Sequence, residues 1–218
     1  MGQSALAKDG WYSSCLSWIH YYTISDRSSR FKENMILTHH REKLINAIIY
    51  FAKNTNYCGK TKLMKLLFFL DFLHFKQTGK SVTGLDYFTW ERGPVPKDLF
   101  LELDKMEPDL EAAVRVVHYG DFRQIVPKKK FEDTHFTNRE KELMERIAFI
   151  YKDVKADEIS EISHLKNEPW HRTLVEKGQN QRIDYLLSID DADESLSYDE
   201  AKERMEEIGE TQRILGIG

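Results

Sequence analysis

Cysteine is scarce: Cys15 and Cys58 are the only two in 218 residues, and no short spacing relates them. That argues against a disulfide framework and a cysteine-built zinc site, and it fits free thiols in a reducing cytosol. Long hydrophobic runs are absent too. Nothing approaches the ~20 apolar residues of a membrane-spanning helix. The most apolar N-terminal stretch, Cys15 to Tyr22, is interrupted by Ser17 and His20, so it does not read as a secretory signal. Leu6 stands where a myristoylation signal wants Ser or Thr. The expected location is the cytoplasm, with no membrane partner.

The motifs of common active sites are missing as well. There is no GxxxxGK[ST] or GxGxxG phosphate cradle, no HExxH and no GxSxG. The histidines form no ligand-spaced cluster. His39 and His40 are adjacent, and Asn167 and Pro169 interrupt the interval between His164 and His171. Ser163-His164 beside Glu161 and Glu168 reads as a packed turn in which His164 and Trp170 meet, because catalytic triads are assembled by geometry and sequence neighbours rarely supply it. No cofactor, metal or catalytic residue is expected, and the chain does not read as an enzyme.

What is present is an ordinary globular composition with 12 Phe, 10 Tyr and 4 Trp to bury. The length suits one domain with extensions and a sizeable core. The net charge of −4 does not invite nucleic acid. Residues 186–218 hold ten acids and three bases, so this tail carries −7 and the remainder +3. Lys128-Lys129-Lys130 with Arg123 is the densest basic patch and reads as a solvated turn.

Three regions follow. Residues 1–34 are rich in Ser and aromatics without a sustained period; they read as a loose extension, with Met35 a candidate start. Residues 35–185 form the domain. Residues 186–218 form an acidic extension in which Ser197 to Ile208 is a short polar helix. Within the domain, Leu44, Ile45, Ile48, Ile49 and Ala52 recur at helical spacing. A helix from about Lys62 to Lys76 is apolar nearly all round and belongs at the centre of a core, with Thr61 as its cap and Gly79 as its stop. Lys62 and Lys65 are expected to snorkel at the core's edge. Leu85 to Trp90 reads as a strand. Pro94 forces Gly93 out of helical geometry, and Pro96 opens a helix running to about Met106. Val114, Val116 and Val117 pair with Phe122, Ile125 and Val126 across a turn at Tyr119-Gly120-Asp121. Thr137 to Glu140 is a capping box, and Leu143, Ile147 and Ile150 share the face of the helix behind it. A further helix covers Asp157 to His164, with Ile159 and Ile162 inward. The fold class is mainly α (α+β): a helical core around one central apolar helix, with a small antiparallel β-sheet. The Trp90 to Pro96 knot is either a structural corner or a rigid, partly exposed ridge for a partner.

Several pieces, in order, resemble a known family. Lys62, Leu63, Lys65, Leu66 and Leu67 resemble its Lys-Leu-rich helix, and Gly79 its following turn. Trp90, Gly93, Pro94 and Val95 resemble its Trp…Gly-Pro-Val segment. His164, Pro169 and Trp170 are similar to its later His…Pro-Trp element. The family is the Panacea, or SocA-like, antitoxin domain, also described as phage-associated and GepA-like. The resemblance spans roughly His40 to Lys177; Phe68 and Glu91-Arg92 depart from it. It implies an antitoxin that neutralises a cognate toxin encoded nearby by direct protein–protein contact. Delivery of the toxin to a AAA+ protease and DNA-binding autoregulation are the alternatives. Trp90, Arg92, Pro94, Lys97 and Trp170 are the expected partner-binding residues.

Overall fold

The computed structural model describes residues 40–120 and 122–215. The loose extension expected over residues 1–34 lies outside the described residues. The first helix, α1, runs through residues 40–54 and buries the face its spacing predicts: Leu44, Ile45, Ile48, Ile49 and Ala52. Helix α2, Lys60–Thr78, is the centre of the molecule. Its 19 residues extend about 28 Å, and it packs against the helices Asn138–Ile150, Ala156–Ser163 and Tyr198–Leu215 and the 3-10 turn Tyr185–Ser188. Gly79 stops it at φ 71°, with its N–H donating to the Phe75 carbonyl at 2.7 Å. Gly59, rather than Thr61, is the N-cap, and Thr61 lies inside the first turn.

Two two-stranded antiparallel sheets replace the single sheet expected. In the first, β1 (Phe88–Trp90) pairs with β2 (Gly93–Val95) across the turn Glu91-Arg92. The strand is shorter than Leu85 to Trp90 because its partner is only three residues long before Pro96 caps α3, Lys97–Glu102. Helix α3 also stops short of Met106, its last turn tightening through Asp104 N–H to Leu101 O and Lys105 N–H to Glu102 O. Pro108 then opens a further short helix, α4 (Pro108–Ala113). Arg41 of α1 ties α3 to α4 through Glu102 and Asp109. The second sheet is the hairpin β3 (Val114–Tyr119) and β4 (Phe122–Pro127), in which Val116 pairs with Ile125 and Tyr119 with Phe122.

Thr137 caps α5, Asn138–Ile150, in a complete capping box. Leu143 and Ile147 are buried, but Ile150 is exposed; Met144 and Ala148 complete the inward stripe. The last turn of α5 runs past the core, and the next residue, Tyr151, stacks on Phe69 instead. Helices α6 (Ala156–Ser163) and α7 (Pro169–Lys177) follow, then a 3-10 helix, Tyr185–Ser188. Helix α8, Tyr198–Leu215, is longer than the Ser197 to Ile208 expected. It buries Ala201 with Phe75 and Leu186 at the C-terminal end of α2. The main core gathers α1, α2 and α5, with β2, β3 and β4 against it.

Buried inside α2 is one carboxylate that the sequence reading did not single out. Asp71 accepts from Val82 N–H at 2.8 Å, Thr83 N–H at 2.7 Å, Tyr87 Oη at 2.7 Å and the Thr83 hydroxyl. Burial pushes its pKa up to about 6, and these donors pull it back down. They hold the loop between α2 and β1 on the side of the central helix.

Candidate functional site

The residues singled out in the sequence converge on the β1–β2 hairpin. Lys65 projects from α2 and is almost entirely buried, and its Nζ donates to the Pro94 carbonyl at 2.8 Å. Among the described residues no carboxylate pairs with it, and burial lowers its pKa to about 7. Gly93 sits at φ 95°, and a Cβ there would lie 2.6 Å from His164 Nε2, 2.7 Å from Ser163 Oγ and 2.8 Å from Lys65 Nζ. Only glycine fits that point: the backbone angle disfavours L side chains and the space is already taken.

The later motif locks the other side. Trp170 Nε1 donates to the Trp90 carbonyl at 3.2 Å. The His164 ring stacks on Trp170, with centroids 4.1 Å apart and planes at 19°. Pro169 opens α7, where its missing N–H costs nothing. Burial lowers the His164 pKa, the Lys65 charge lowers it further, and the Arg92 backbone opposes both. The Ser163 hydroxyl donates to the Ser160 carbonyl at 2.7 Å. It is thus engaged within its own helix rather than with the imidazole. The packed-turn reading of Ser163-His164 therefore describes the geometry present.

Lys65, Trp90, Gly93, Pro94, Val95, His164, Pro169 and Trp170 thus form one knot. Five residues of the sequence pattern stand apart. Lys62 is buried on another side of α2, its Nζ donating to the Asn56 carbonyl at 2.7 Å and the Lys152 carbonyl at 3.1 Å. Gly79 is at the far end of the helix. Leu63, Leu66 and Leu67 are wholly core. The expectation that Lys62 and Lys65 snorkel to solvent fails for a physical reason: backbone carbonyls freed by the adjoining turns are nearer acceptors than water.

Of the five expected partner-binding residues, Pro94 and Trp170 are buried, Trp90 is half-buried, and Arg92 and Lys97 are exposed. Around Trp90 and Arg92 opens a cavity of about 300 Å³. Its walls are Met64, Val95, Trp90 and Phe100, with Lys65 at its base and Arg92 on its rim. Trp90 meets Phe100 edge-to-face at 4.9 Å, and Lys60 Nζ sits 3.6 Å from the Phe100 centroid. Met64, an apolar position of α2, and Phe100, on the helix after Pro96, line it as well.

A model of the family described as antitoxin SocA-like, Panacea domain, matches residues 63–171. This stretch is half of the chain and holds most of the knot. The chain belongs to that family. The Panacea match is narrower than the His40 to Lys177 expected, and it leaves α1, most of α7 and α8 outside. No curated protein and no solved structure matches the chain. Membership in the Panacea family supports an antitoxin role in general, with a toxin as partner in general, and it suggests a regulatory, non-catalytic role. No helix among the described residues is long and apolar enough to cross a membrane.

Proposed function

We propose that this Panacea-domain chain neutralises its cognate toxin by direct contact through the β1–β2 turn and the cavity beside it. The observation that carries this is the contrast within the knot. Its interior is fully packed, yet it holds Arg92 out in solvent over an apolar-walled cavity. Binding hot spots combine these elements: an aromatic wall, an arginine and a pocket that excludes water. A rigid support keeps the entropic cost of binding low. The cavity is of a size to take one large apolar or aromatic side chain of the toxin, with Arg92 and Lys97 to meet its acidic neighbours.

The test is growth rescue. The toxin encoded beside this protein is expressed in a bacterial host, with and without the antitoxin, and the pair is then isolated. Rescue with a stable complex is expected. Arg92→Glu together with Lys97→Glu should weaken the complex by roughly tenfold or more, with thermal stability unchanged because both side chains are exposed. Full-strength binding by that double variant would move the interface elsewhere. Rescue that needs a AAA+ protease and leaves no stable pair would replace occlusion with delivery.

A further inference from the structure

The hairpin β3–β4 has one finished edge and one open edge. On its finished side, β4 meets the turn before α2: Gly59 bridges Gln124, and Ile125 N–H donates to the Cys58 carbonyl at 2.9 Å. That bond also settles which way β3 faces. Ile125 N–H points away from β3, so its cross-strand partner Val116 turns its own N–H and C=O outward as well. By the same alternation His118 faces outward, while Arg115, Val117 and Tyr119 bond to β4. Among the described residues, no backbone group bonds to the outward groups of Val116 or His118. The strand reads Val-Arg-Val-Val-His-Tyr, without a proline or glycine to blunt it. Such an edge is a template for another strand.

Beside that edge lies a cavity of about 330 Å³. Val114, Val116 and His118 of β3 contribute one wall, and Leu103, Met106 and Ile125 make it apolar within. Its charged lining is lopsided. Lys60, Arg115, Arg123 and Lys128 face only Asp104 and Glu111. Asp104 is already shared by Lys60 at 2.9 Å and Arg123 at 3.3 Å. The Arg115 and His118 side chains have no hydrogen-bonding or ion-pair partner among the described residues.

The geometry points to β3 as a strand-addition site for an extended, acidic segment of a partner protein, whose alternate side chains enter this cavity. In strand addition the backbone row supplies affinity, and pockets for every second side chain supply selectivity. Val116 and His118 supply that row here, and the surplus of positive charge sets the preference for acidic residues. A second copy fits poorly. Its own β3, Val-Arg-Val-Val-His-Tyr, carries Arg115 and no acidic residue to meet the positive lining. That the partner is the toxin rests on the reading above; the open edge does not.

The experiment uses the full chain, labelled with ¹⁵N, and two blocked octapeptides: one alternating Glu and Val, one alternating Lys and Val. The acidic peptide should slow hydrogen exchange of the Val116 and His118 amides by ~10-fold or more, and the basic one should not. His118→Pro removes one outward N–H and leaves the bonds to β4 intact, because that N–H is not in the ladder. It should abolish the protection at Val116, whereas His118→Ala keeps most of it. Unchanged Val116 and His118 amides at millimolar acidic peptide would overturn the proposal. So would an equal response to both peptides, or protection that appears without peptide and grows with protein concentration, which would assign the edge to a second copy. A chain that binds the acidic peptide but rescues no toxin would keep this site and lose the antitoxin interface.

Discussion

Gly93 and Lys65 show how much of the site rests on single positions. Gly93→Ala puts a methyl group within 2.8 Å of three polar atoms at a φ of 95°. None of the three can step aside freely: Lys65 is held by Pro94, Ser163 by Ser160, and His164 by Trp170. The substitution should cost on the order of 2 kcal/mol or more, seen as a lower midpoint in urea unfolding. An unchanged midpoint would show that the knot is loose. Lys65 makes a prediction with a sign. Its folded pKa of about 7 lies below the ordinary lysine value of 10.5, so between these values the unfolded chain binds more protons. Stability from this group therefore rises as pH goes from about 7 towards 10. Each unit of difference corresponds to about 1.4 kcal/mol. Lys65→Met should flatten that rise, although it leaves the Pro94 carbonyl without its donor. Urea midpoints at pH 7 and pH 9.5 decide it, and an equal gain in both proteins would show that Lys65 is not the group responsible. The Trp90 to Pro96 corner and the contact of His164 with Trp170 were each legible, because glycine, proline and tryptophan declare special backbone and packing needs; only the family resemblance grouped the two. That Lys65 would be buried was not legible. A lysine at the margin of an apolar helix looks the same whether its amine reaches water or a carbonyl 29 residues away.

The same limit appears among the elements. Helices α1, α2 and α5 were readable because each carries its own signal: a 3.6-residue period, an all-apolar surface, or a capping box. The β3–β4 hairpin was readable through its valines and its turn. The elements misjudged are those whose lengths are set by something distant. Strand β1 begins only at Phe88, opposite Val95, the last residue β2 has to pair. Helix α3 ends where its last carbonyls accept tightened bonds, and α4 begins at a proline that also marks the stop before it. The loop from Gly79 to Tyr87 has no period at all, yet Asp71 fixes it from inside α2. Nothing local marks that aspartate as an acceptor for four donors that lie 11 to 16 residues further on. Paired with the β1–β2 turn, that fixed loop explains why so short a hairpin can be rigid: its two strands hang between α2 on one side and α7 on the other.

On the scale of the whole molecule, α2 separates two ends of different character. Lys65, Trp90 and the cavity beneath Arg92 belong to its N-terminal half. The acidic tail folds over its C-terminal end, some 20 Å away at 1.5 Å per residue. Arg204 of α8 reaches back to the Thr78 carbonyl at 2.9 Å and lies over Gly79. Leu196 N–H donates to the Lys76 carbonyl at 2.9 Å, and Lys76 pairs with Asp190 at 2.5 Å. The charge of −7 therefore arrives on a segment that also covers Phe75. Truncation after Tyr185 changes two things together: it removes the charge, and it uncovers Phe75 by taking away Leu186 and Ala201. Losing the burial of such side chains costs about 1.5–3 kcal/mol each, so the shortened chain should melt well below the full one. Charge alone is isolated by replacing the exposed Glu203, Glu206, Glu207 and Glu210 with Gln, which keeps α8 docked through Ala201 and Met205. That variant should keep its melting temperature within a few degrees, because exposed acids contribute little. It should also keep its rescue of growth, because the proposed toxin-binding face lies at the other end of α2. Loss of rescue in a chain that melts normally would instead make the tail's charge part of the interface, covering a basic groove of the toxin. The paired measurement of melting and rescue on both variants separates a tail that holds the fold from one that holds the partner.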